Sequence, residues 1–388
     1  MKKILIFSLA YFPKTGGAEV AIKEITDRIS DIEFHLVTNG FDISAHEEMI
    51  GNVHVHRVWR GTSYLPKVLY VPRAAFAARQ LHRTHHFDGA WAMMSYMVFP
   101  ILLLRFLGVR LPFCITMQEG DSYEHVYGRL RIRLMRPLLR FAFSRASAAS
   151  AISTFLAGWA TQMGYSREVQ VIPNGVDIAR FAASYPESVI NEIQDSLGKK
   201  MGDVFLITTS RLVRKNAVDD VIRALSLLSG NVHFVILGTG PEEASLRQNA
   251  NDLQVQDRTH FVGHVSHEEM PKYLAASDIF IRPSRSEGMG NSFVEAFAAG
   301  LPVIATQEGG LADLIFDEQR NPGVPITAWA VDKDSPEQIA EAVKNIMAHS
   351  EKVRAVVATA RQIAKEKYDW KLVAHAMRER IFEPVVGE

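Results

Sequence analysis

Short, almost continuously apolar segments alternate with longer segments of helical periodicity along most of the chain. Such short apolar runs are typical of parallel β-strands that are buried on both faces of a sheet. In the first half they are KILIFSLA, EFHLVTN, VHVHRVW, AWAMMS, PFCITM and ASAASAI, with helical patterns such as AEVAIKEITDRI between them. Repeated strand–helix–strand units predict the α/β class, with a doubly wound parallel sheet.

The alternation pauses once and then restarts, which indicates a second domain. A polar stretch near residues 176–202, which we expect to be a linker, precedes the strand candidates VFLITTS, NVHFVILG, RTHFVGHV, DIFIRPS and PVIATQ. A chain of 388 residues also exceeds the size of one ordinary core. We therefore predict domains at residues 1–178 and 179–369. The final helix, within residues 370–388, either caps the second domain or crosses back to the first.

Composition and charge narrow the class of protein. Hydrophobic residues make up 47% of the chain and charged residues 22%, as in a soluble globular protein, and the net charge of zero argues against a general affinity for nucleic acid. Residues 1–180 hold 21 Lys and Arg against 14 Asp and Glu, so the first half is basic and the second acidic. The single cysteine, Cys114, lies in an apolar run and is interpreted as a core residue.

The richest candidate site is the stretch SRSEGMGNSFVEAFAAG, which follows the strand DIFIRPS. Its glycines allow the backbone to approach a ligand, and the unpaired amides at the start of the following helix suit a phosphate. The loop and helix start comprise Gly288, Met289, Gly290, Asn291 and Ser292. Glu287 before them and Glu295 one turn into the helix can accept hydrogen bonds from hydroxyl groups. A sugar nucleotide has this combination of groups.

A second candidate is the cationic pair Arg211 and Lys215, which follows the strand VFLITTS. When a nucleoside diphosphate departs, negative charge develops on its phosphates. A fixed guanidinium and ammonium can stabilise that charge without a metal ion. The alternative is an ordinary solvated loop.

Weaker candidates lie after other strands. Gly16 and Gly17 form a double glycine before a helix, although the dinucleotide-binding pattern of glycines is absent. Gly238 and Gly240 either approach the nucleoside or only form a tight turn. In one interpretation, Gln118 and Asp121 contact the transferred sugar or the acceptor. In the alternative, Asp121 only caps a helix. The turn at Asn174-Gly175 is expected to be structural.

Two further segments carry unusual charge or metal-ligand patterns. The segment Arg129–Arg145 holds six arginines and no acidic residue, and its apolar residues recur at helical spacing. Such a segment can bind an anionic membrane surface or a phosphorylated acceptor. The alternative is a helix whose arginines are only solvated. Pro137 is expected to interrupt the helix. His82, His85 and His86 are expected to form a solvated helix end, because no nearby carboxylate or cysteine cluster supports a metal site.

In these motifs the chain resembles the retaining glycosyltransferases of family 4. The resemblance is carried by Glu287 and Glu295 with the insert between them, by Arg211 and Lys215, by the Gly16-Gly17-Ala18-Glu19 loop, and by IPNGVD and FVGHVSHEEMPKYLAASDIFIRPS. It covers nearly the whole chain. It implies the GT-B fold, in which two Rossmann-like domains enclose an interdomain cleft and the final helix crosses back onto the first domain. It also implies that the acceptor binds mostly to the first domain, residues 1–178, and the nucleotide sugar mostly to the second, residues 179–369.

The resemblance also implies roles for the candidate residues. Arg211 and Lys215 hold the diphosphate, Glu287 contacts the donor sugar, and Glu295 contacts the ribose. Backbone amides from Gly290 to Ser292 meet the phosphates, and Gly17 approaches them from the other domain. The family usually needs no metal or other cofactor. Many members have His where this chain has Gln118, so a proton relay through that side chain is not expected here.

We therefore predict an enzyme that moves a hexose-type sugar from a UDP- or GDP-sugar to an acceptor hydroxyl, with retention of configuration. The acceptor is a glycan or a lipid-linked molecule, and no nucleic acid is involved. We expect a cytoplasmic protein, with peripheral contact at the inner face of the membrane through Arg129–Arg145. The alternatives are a sugar-nucleotide epimerase of the same fold and a non-catalytic subunit that binds sugar nucleotides.

Overall fold

The chain folds into two compact units. The computed structural model describes residues 1–14, 16–40, 46–59 and 64–387, and it describes only the backbone of residues 64–68 and 131. The first unit comprises Met1–Gly175 together with the C-terminal segment from Trp370, and the second comprises Val176–Asp369. The chain thus leaves the first unit three residues before the predicted boundary at 178 and returns at Trp370.

The first unit contains an eight-stranded sheet in the order β3-β4-β2-β1-β5-β6-β7-β8. Its strands are β1 Lys2–Phe7, β2 Ile32–Thr38, β3 Glu47–Ile50, β4 Val53–Arg57, β5 Gly89–Met93, β6 Phe113–Met117, β7 Ala148–Ala151 and β8 Gln170–Val171. All neighbours are parallel except β3, which pairs with β4 in the antiparallel sense. The sequence pattern missed β3 because the strand lies at the sheet edge and carries Glu47 and Glu48 instead of a continuous apolar run.

Helices lie between the strands of the first sheet, as the alternating pattern predicts. They are α1 Gly17–Thr26, α2 Tyr64–His85, α3 Val98–Phe106, α4 Tyr123–Tyr127, α5 Leu130–Arg145 and α6 Thr154–Gln162, with a 3-10 turn at Ser95–Met97. The expected break at Pro137 is wrong, since α5 continues through it. Pro137 is exposed, so water can reach the backbone carbonyl that its missing N–H leaves without a helical partner.

The C-terminal segment completes the core of the first unit. It consists of a helix at Trp370–Met377, a π-helical turn at Arg378–Phe382, and a short helix at Glu383–Val386. The ring of Phe382 lies edge-on to Trp91 of β5 at a centroid distance of 5.0 Å. Trp370 packs so tightly on Gly175 that a Cβ atom there would lie 2.5 Å from the indole ring. Gly175 therefore has the structural role expected of its turn.

The second unit contains a six-stranded parallel sheet in the order β11-β10-β9-β12-β13-β14. Its strands are β9 Val204–Thr209, β10 Val232–Leu237, β11 Thr259–Gly263, β12 Ile279–Arg282, β13 Val303–Ala305 and β14 Trp329–Ala330. Numbered within the unit, this order is 3-2-1-4-5-6, which is the order of the Rossmann fold. Five of the six strands were predicted, and the two-residue β14 was too short to give a pattern.

Helices of the second unit lie between its strands and after them. They are α7 Ile178–Phe181, α8 Glu187–Ser196, α9 Val218–Ser226, α10 Glu243–Asp252, α11 Met270–Ala275, α12 Asn291–Ala299, α13 Pro336–Ala348 and α14 Ser350–Lys367. Short 3-10 turns occupy Arg214–Asn216, Gln256–Arg258 and Gly309–Asp313. The stretch expected to be a linker therefore contains α7 and α8. The sequence pattern did not indicate a helix here because α8 buries no residue completely and so consists mostly of polar positions.

Candidate active site

The strand order of each unit identifies where a ligand is expected to bind. In open parallel sheets, ligands bind beyond the carboxyl ends of the strands where the strand order reverses. In the second unit this point lies between β9 and β12, which are neighbours. The loop after β9 carries Arg211 and Lys215, and the loop after β12 carries Glu287. The two strongest sequence candidates therefore leave adjacent strands at the reversal point.

Arg285 joins these two loops. Its backbone N–H donates to the carbonyl of Lys215 at 2.7 Å, and its Nη1 donates to the carbonyl of Arg214 at 2.7 Å. The same guanidinium donates to Asp219 at 2.8 and 3.0 Å and to Asp220 at 2.8 Å. Such forked contacts fix the direction of a guanidinium. Arg285 thus fixes the backbone that carries Lys215 to the loop that carries Glu287.

Burial and neighbouring charges shift the pKa values of Arg285 and of Asp220 beside it. The hydrogen bond with Asp219 is the main cause that raises the pKa of Arg285. Asp220 is fully buried, and its burial, followed by the charge of Asp219, raises its pKa to about 6. Two neighbouring carboxylates on one cation form a charged network that is expensive to disrupt once it is buried.

Glu287 is held by an arginine that the sequence analysis did not single out. Arg282, at the end of β12, donates from Nη2 to Glu287 Oε2 at 2.6 Å and from Nη1 to the carbonyl of Thr209 at 3.3 Å. Its guanidinium lies 4.5 Å from the ring centroid of Phe293. The other carboxylate oxygen of Glu287 accepts from the amide of Gly288 at 3.1 Å. Glu287 is therefore fixed by a buried cation on one side and by its own loop on the other.

The start of α12 has the geometry that the sequence predicts. Gly290 adopts the left-handed conformation with φ of 85°, and a Cβ atom there would lie 2.5 Å from the ring of Phe293, so only glycine fits. The helix spans Asn291–Ala299 and ends before Gly300, as expected, and its N-cap residue, Gly290, has no side chain that could cap it. The first amides, those of Asn291 and Ser292, are thus left for a ligand, and the helix dipole favours an anionic one.

Buried hydroxyl groups line the same end of the sheet. Among the described residues, several hydroxyl oxygens there are buried without a hydrogen-bond partner, namely those of Thr208, Thr209, Ser210, Ser284 and Ser292. Buried polar groups in native proteins are nearly always satisfied by protein, water or ligand. A cluster of five at the reversal point therefore indicates a place where a polar ligand or ordered water binds.

Glu295 lies on the inner face of α12 and pairs with a histidine. It is 8% exposed, and its Oε1 lies 3.0 Å from Nε2 of His267. This hydrogen bond is the main cause that raises the pKa of His267, which favours the imidazolium form. Glu295 is thus held in place with one oxygen engaged, and His267 is a second site residue that the sequence analysis missed.

Gly238 and Gly240 have a packing reason for lacking a side chain. A Cβ atom on Gly238 would lie 1.9 Å from the carbonyl oxygen of Ser210, and one on Gly240 would lie 2.2 Å from that of Leu212. Because they have no side chain, both glycines let the loop after β10 pack against the backbone on the two sides of Arg211. The tight-turn interpretation accounts for them, and contact with a nucleoside stays a prediction.

In the first unit, three candidate loops converge near one buried asparagine. Gln118, after β6, exchanges two hydrogen bonds with Asn174, from Gln118 Nε2 to Asn174 Oδ1 at 2.7 Å and from Asn174 Nδ2 to Gln118 Oε1 at 2.9 Å. Gly17, the first residue of α1, is exposed, and a Cβ atom there would meet Asn174 only at an ordinary 3.7 Å. Gly16 precedes it as the helix cap. Packing alone therefore does not require glycine at position 17, and Asn174 has more than the turn role expected of it.

Glu119 supports the loop that carries Gln118. It is 3% exposed and accepts from the amides of Ser95 at 2.8 Å and Gln118 at 2.9 Å. Burial raises the pKa of this carboxyl group. The next candidate, Asp121, is exposed, and the cap of α4 is Ser122, whose hydroxyl accepts from the amide of His125. The capping alternative for Asp121 is therefore wrong.

Together these features define a class of protein: an α/β protein of two doubly wound units, with a candidate anion site formed by a basic loop, two fixed carboxylates and the start of a helix. Comparisons with known proteins agree. Residues 15–180 match the family described as Glycosyltransferase Family 4, and residues 189–363 match that described as Glycosyl transferases group 1.

Individual relatives cover most of the chain. The alpha-monoglucosyldiacylglycerol synthase of Streptococcus pneumoniae is 32% identical over 81% of this chain and 74% of its own. The GDP-mannose-dependent alpha-(1-6)-phosphatidylinositol monomannoside mannosyltransferase of Mycobacterium tuberculosis is 26% identical over 96% of both chains. A crystal structure of Anabaena Alr3699/HepE in complex with UDP and glucose matches with a TM-score of 0.79 and 21% identity, covering 99% of this chain and 100% of the other.

The chain belongs to glycosyltransferase family 4 and is a glycosyltransferase with the GT-B fold. This confirms the family, the fold and the enzyme class expected from the motifs.

Proposed function

We propose that this glycosyltransferase moves a hexose-type sugar from a UDP- or GDP-sugar to an acceptor hydroxyl, with retention of the anomeric configuration. The observation that carries the proposal is the joining of the Lys215 and Glu287 loops by Arg285, beside the uncapped start of α12. The relatives support a nucleotide-sugar donor, since one is named for GDP-mannose and one solved structure contains UDP and glucose.

Each group at the site has a part in this reaction. Arg211 and Lys215 contact the diphosphate and stabilise the charge that develops as it leaves, and the amides of Asn291 and Ser292 add fixed dipoles. Glu287, held by Arg282 and Gly288, accepts hydrogen bonds from the donor sugar. Glu295 accepts from the ribose. These contacts orient the anomeric carbon toward the acceptor hydroxyl.

In the transfer step, the bond between the anomeric carbon and the phosphate oxygen breaks, and a bond to the acceptor oxygen forms on the same face of the sugar. The acceptor proton passes to an oxygen of the departing phosphate. The nucleoside diphosphate is then the leaving group and the proton acceptor, so the step needs no protein base. This agrees with Gln118, an amide that does not titrate near neutral pH, and no metal is invoked in the proposed step.

The test uses single substitutions in the two joined loops. Lys215→Ala and Glu287→Ala are expected to abolish transfer while the far-UV spectrum and cooperative unfolding are retained. Lys352→Ala is the matched control, because Lys352 pairs with Glu318 on the second unit's surface. Wild-type turnover by either site variant would overturn the assignment.

The same assay separates the alternatives. A transferase releases free nucleoside diphosphate only when an acceptor is supplied, whereas an epimerase converts the donor sugar without releasing it. A non-catalytic subunit binds the nucleotide tightly but turns over nothing on a broad acceptor panel. Thermal-shift screening against UDP-, GDP- and ADP-sugars first identifies the donor base.

We also propose that the acceptor lies at a membrane surface and that α5 contacts this surface. Several apolar side chains of α5 are exposed, with Leu130 at 73% and Leu134 at 75%. Phe106, at the end of α3, is 87% exposed, and α3 packs against α5. Leu138 and Phe141 continue the exposed apolar side chains along α5. Solvated arginines alone do not account for so much exposed apolar surface on one helix.

The charge of α5 suits an anionic membrane. The exposed arginines of the segment are Arg129, Arg133, Arg140 and Arg145, while Arg136 donates to the hydroxyl of Tyr123 at 2.9 Å. The side chain of Arg131 lies outside the described residues. Basic groups beside an apolar surface are the combination that holds a helix at a lipid interface. In the part of the chain that the structure describes, no helix has the length and hydrophobicity to cross a bilayer.

Vesicle binding tests this contact. The double variant Leu130→Gln/Leu134→Gln is expected to lose co-sedimentation with vesicles containing anionic lipid, while it keeps its activity on a water-soluble acceptor. The control is Leu227→Gln, which changes an exposed leucine of the second unit. Equal vesicle binding by the double variant and the control would exclude α5 as the membrane contact, and would leave the transferase assignment untouched.

A further inference from the structure

A cluster of histidines and carboxylates lies on one face of the first sheet, away from the carboxyl ends of the strands. Glu33 and His35 are two residues apart on β2, so their side chains lie on the same face. His54 on β4 is the register partner of His35, and the two imidazole rings stack at a centroid distance of 4.6 Å. Nothing in the proposed transfer reaction uses this cluster.

More imidazoles surround His35. His56, two residues along β4, places its Nε2 3.0 Å from Nδ1 of His35. His85, at the end of α2, places its ring centroid 4.4 Å from that of His35. The expectation of a solvated helix end is therefore wrong for His85, because α2 ends against the histidines of the sheet. The carboxylate that the local sequence lacked comes from β2.

The hydrogen-bond chain of the cluster has one proton fewer than it has gaps. Glu33 Oε1, His35, His56 and Glu47 Oε1 form a chain with gaps of 2.7, 3.0 and 3.2 Å. A neutral imidazole has a single N–H donor, so two neutral imidazoles can fill only two of these three gaps. In the tautomers that donate toward Glu47, Nε2 of His35 and Oε1 of Glu33 both present lone pairs, and a cation can bind both atoms once they separate to the spacing of metal ligands.

We propose that Glu33, His35 and His54 bind a borderline first-row divalent cation, of which Zn²⁺ is the representative. One ligand atom from each residue lies within 4.8 Å of the others. Ligand atoms on a tetrahedral zinc ion are about 3–3.5 Å apart, given bonds of about 2.0–2.2 Å. The His54 ring stacks on that of His35 with an interplanar angle of 13°, so it has to turn until its in-plane lone pair meets the same ion. Two imidazoles with one carboxylate suit zinc and its neighbours, and not magnesium or calcium.

Neighbouring side chains orient two of the three ligands. Nε2 of His56 lies 3.0 Å from Nδ1 of His35 and so holds that ring in place, as the outer partners of metal-bound histidines usually do. Lys3 pairs with Glu33 Oε2 at 3.2 Å, which leaves Oε1 toward His35.

The second unit provides a histidine pair for comparison. His233 on β10 and His260 on β11 lie 3.0 Å apart between ring nitrogens and stack at 5.3 Å, and Asp203 Oδ2 lies 3.6 Å from Nε2 of His233. Within the described residues, the Glu33–His35–His54 group is the one set of three such side chains whose ligand atoms all lie within 4.8 Å of one another. The His233–His260 pair is thus the internal control, a stacked pair whose neighbouring carboxylate does not complete such a group.

The test measures metal binding directly, on the full chain treated with EDTA and then dialysed. Equilibrium dialysis with metal analysis is expected to give about one Zn²⁺ per wild-type chain, and Zn²⁺ but not Mg²⁺ should raise the melting temperature. His54→Gln should weaken Zn²⁺ binding at least about 100-fold, and the outer substitution His56→Gln about 10–100-fold. His260→Gln should bind as the wild type does.

Glu33→Gln keeps the test decisive if His54→Gln folds poorly, because it removes a ligand oxygen from a half-buried side chain. Co²⁺ provides a spectroscopic readout, since a tetrahedral site gives intense visible absorption bands that hydrated Co²⁺ lacks. The proposal is overturned if the wild type binds no Zn²⁺, or if His54→Gln and Glu33→Gln bind it as tightly as His260→Gln. Neither result bears on the transferase assignment.

Discussion

At the carboxyl end of the second sheet the candidate site is held by paired charges, whereas at the same end of the first sheet it is held by neutral amides. Arg282 fixes Glu287 and Arg285 fixes the Lys215 loop in the second unit. In the first, Gln118 and Asn174 hold each other through two amide hydrogen bonds. Even Glu119, the carboxylate beside them, is held by backbone amides and not by a cation.

This difference matches the ligands proposed for the two units. A nucleoside diphosphate brings charge that grows during the reaction, and groups that stabilise such charge work best when they are fixed beforehand. An acceptor hydroxyl is neutral, so it needs hydrogen-bond partners but no fixed charge. A charged side chain inside the protein is held firmly when an opposite charge balances it, as the buried guanidinium of Arg282 balances Glu287.

The largest effect is expected from Arg282→Met, which removes the buried partner of Glu287. The carboxylate would remain without its cation, and breaking such a buried pair costs about 3–5 kcal/mol. We also expect kcat/KM for transfer to fall at least about 100-fold, because Glu287 would no longer be held toward the donor. Urea denaturation and initial-rate measurements test both expectations.

The control is Arg354→Met, which breaks a surface pair with Glu351 whose side chains are 70% and 94% exposed. Its cost should stay below about 1 kcal/mol. If both variants lose the same stability and activity, the site of the second unit does not depend on buried charge.

An intermediate loss of stability and of acceptor binding is expected from Gln118→Ala in the first unit. The amide of Asn174, which is 3% exposed, would lose both hydrogen bonds to Gln118, at a cost of about 1–3 kcal/mol in unfolding free energy. Nucleotide affinity, measured by calorimetry, should stay unchanged, while the KM for the acceptor should rise. A loss of nucleotide affinity as large as the loss in acceptor binding would contradict the division of roles.

The variant Gln118→His tests whether the side chain at position 118 contacts the reacting groups. The imidazole can still bond to Asn174, so we expect most of the activity to remain. The pH profile of kcat/KM, flat near neutrality for the wild-type amide, should acquire a dependence near pH 6.5, the ordinary pKa of histidine. An unchanged profile would show that position 118 does not contact the reacting groups.

The smallest effect is expected at His267, which is half exposed. Its hydrogen bond to Glu295 raises its pKa, so the contact stabilises the folded protein fully below the unfolded value of 6.5 and is lost as the pH rises through the folded pKa. An NMR titration should show the pKa of His267 falling when Glu295 is replaced by Gln. His349, which bonds to the carbonyl of Asn345, is the internal control. An unchanged pKa for His267 would exclude this contact in solution.

The parallel strands could be predicted because they are buried on both faces and so read as continuous apolar runs. The edge strand β3 carries glutamates, and its place in the sheet is set by pairing with β4, which no local pattern records. The helix α8 also lies at the margin of a core, because none of its residues is fully buried. Its apolar positions are therefore too few to distinguish it from a linker. Elements at the margin of a core leave a weak pattern in the sequence.

The place of a candidate residue in the fold could be predicted where that residue directly follows a strand, as at Arg211, Lys215 and Glu287. A contact could not be predicted where the partner comes from another element. Arg282 looked like one polar residue in an otherwise apolar strand, and its contact with Glu287 depends on how the loop turns back. The histidines of β2, β4 and α2 are far apart in the chain, so only the folded sheet brings them together.

The route of the chain also sets the order in which the units can mature during synthesis. The second unit is one continuous stretch, Val176–Asp369, whereas the first needs the segment from Trp370 to fill its core. On the ribosome, the first unit must therefore wait with its apolar centre open until the residues around Phe382 emerge. A nascent chain stalled near residue 360 should consequently recruit hydrophobic-binding chaperones through its earliest strands, although these were translated first.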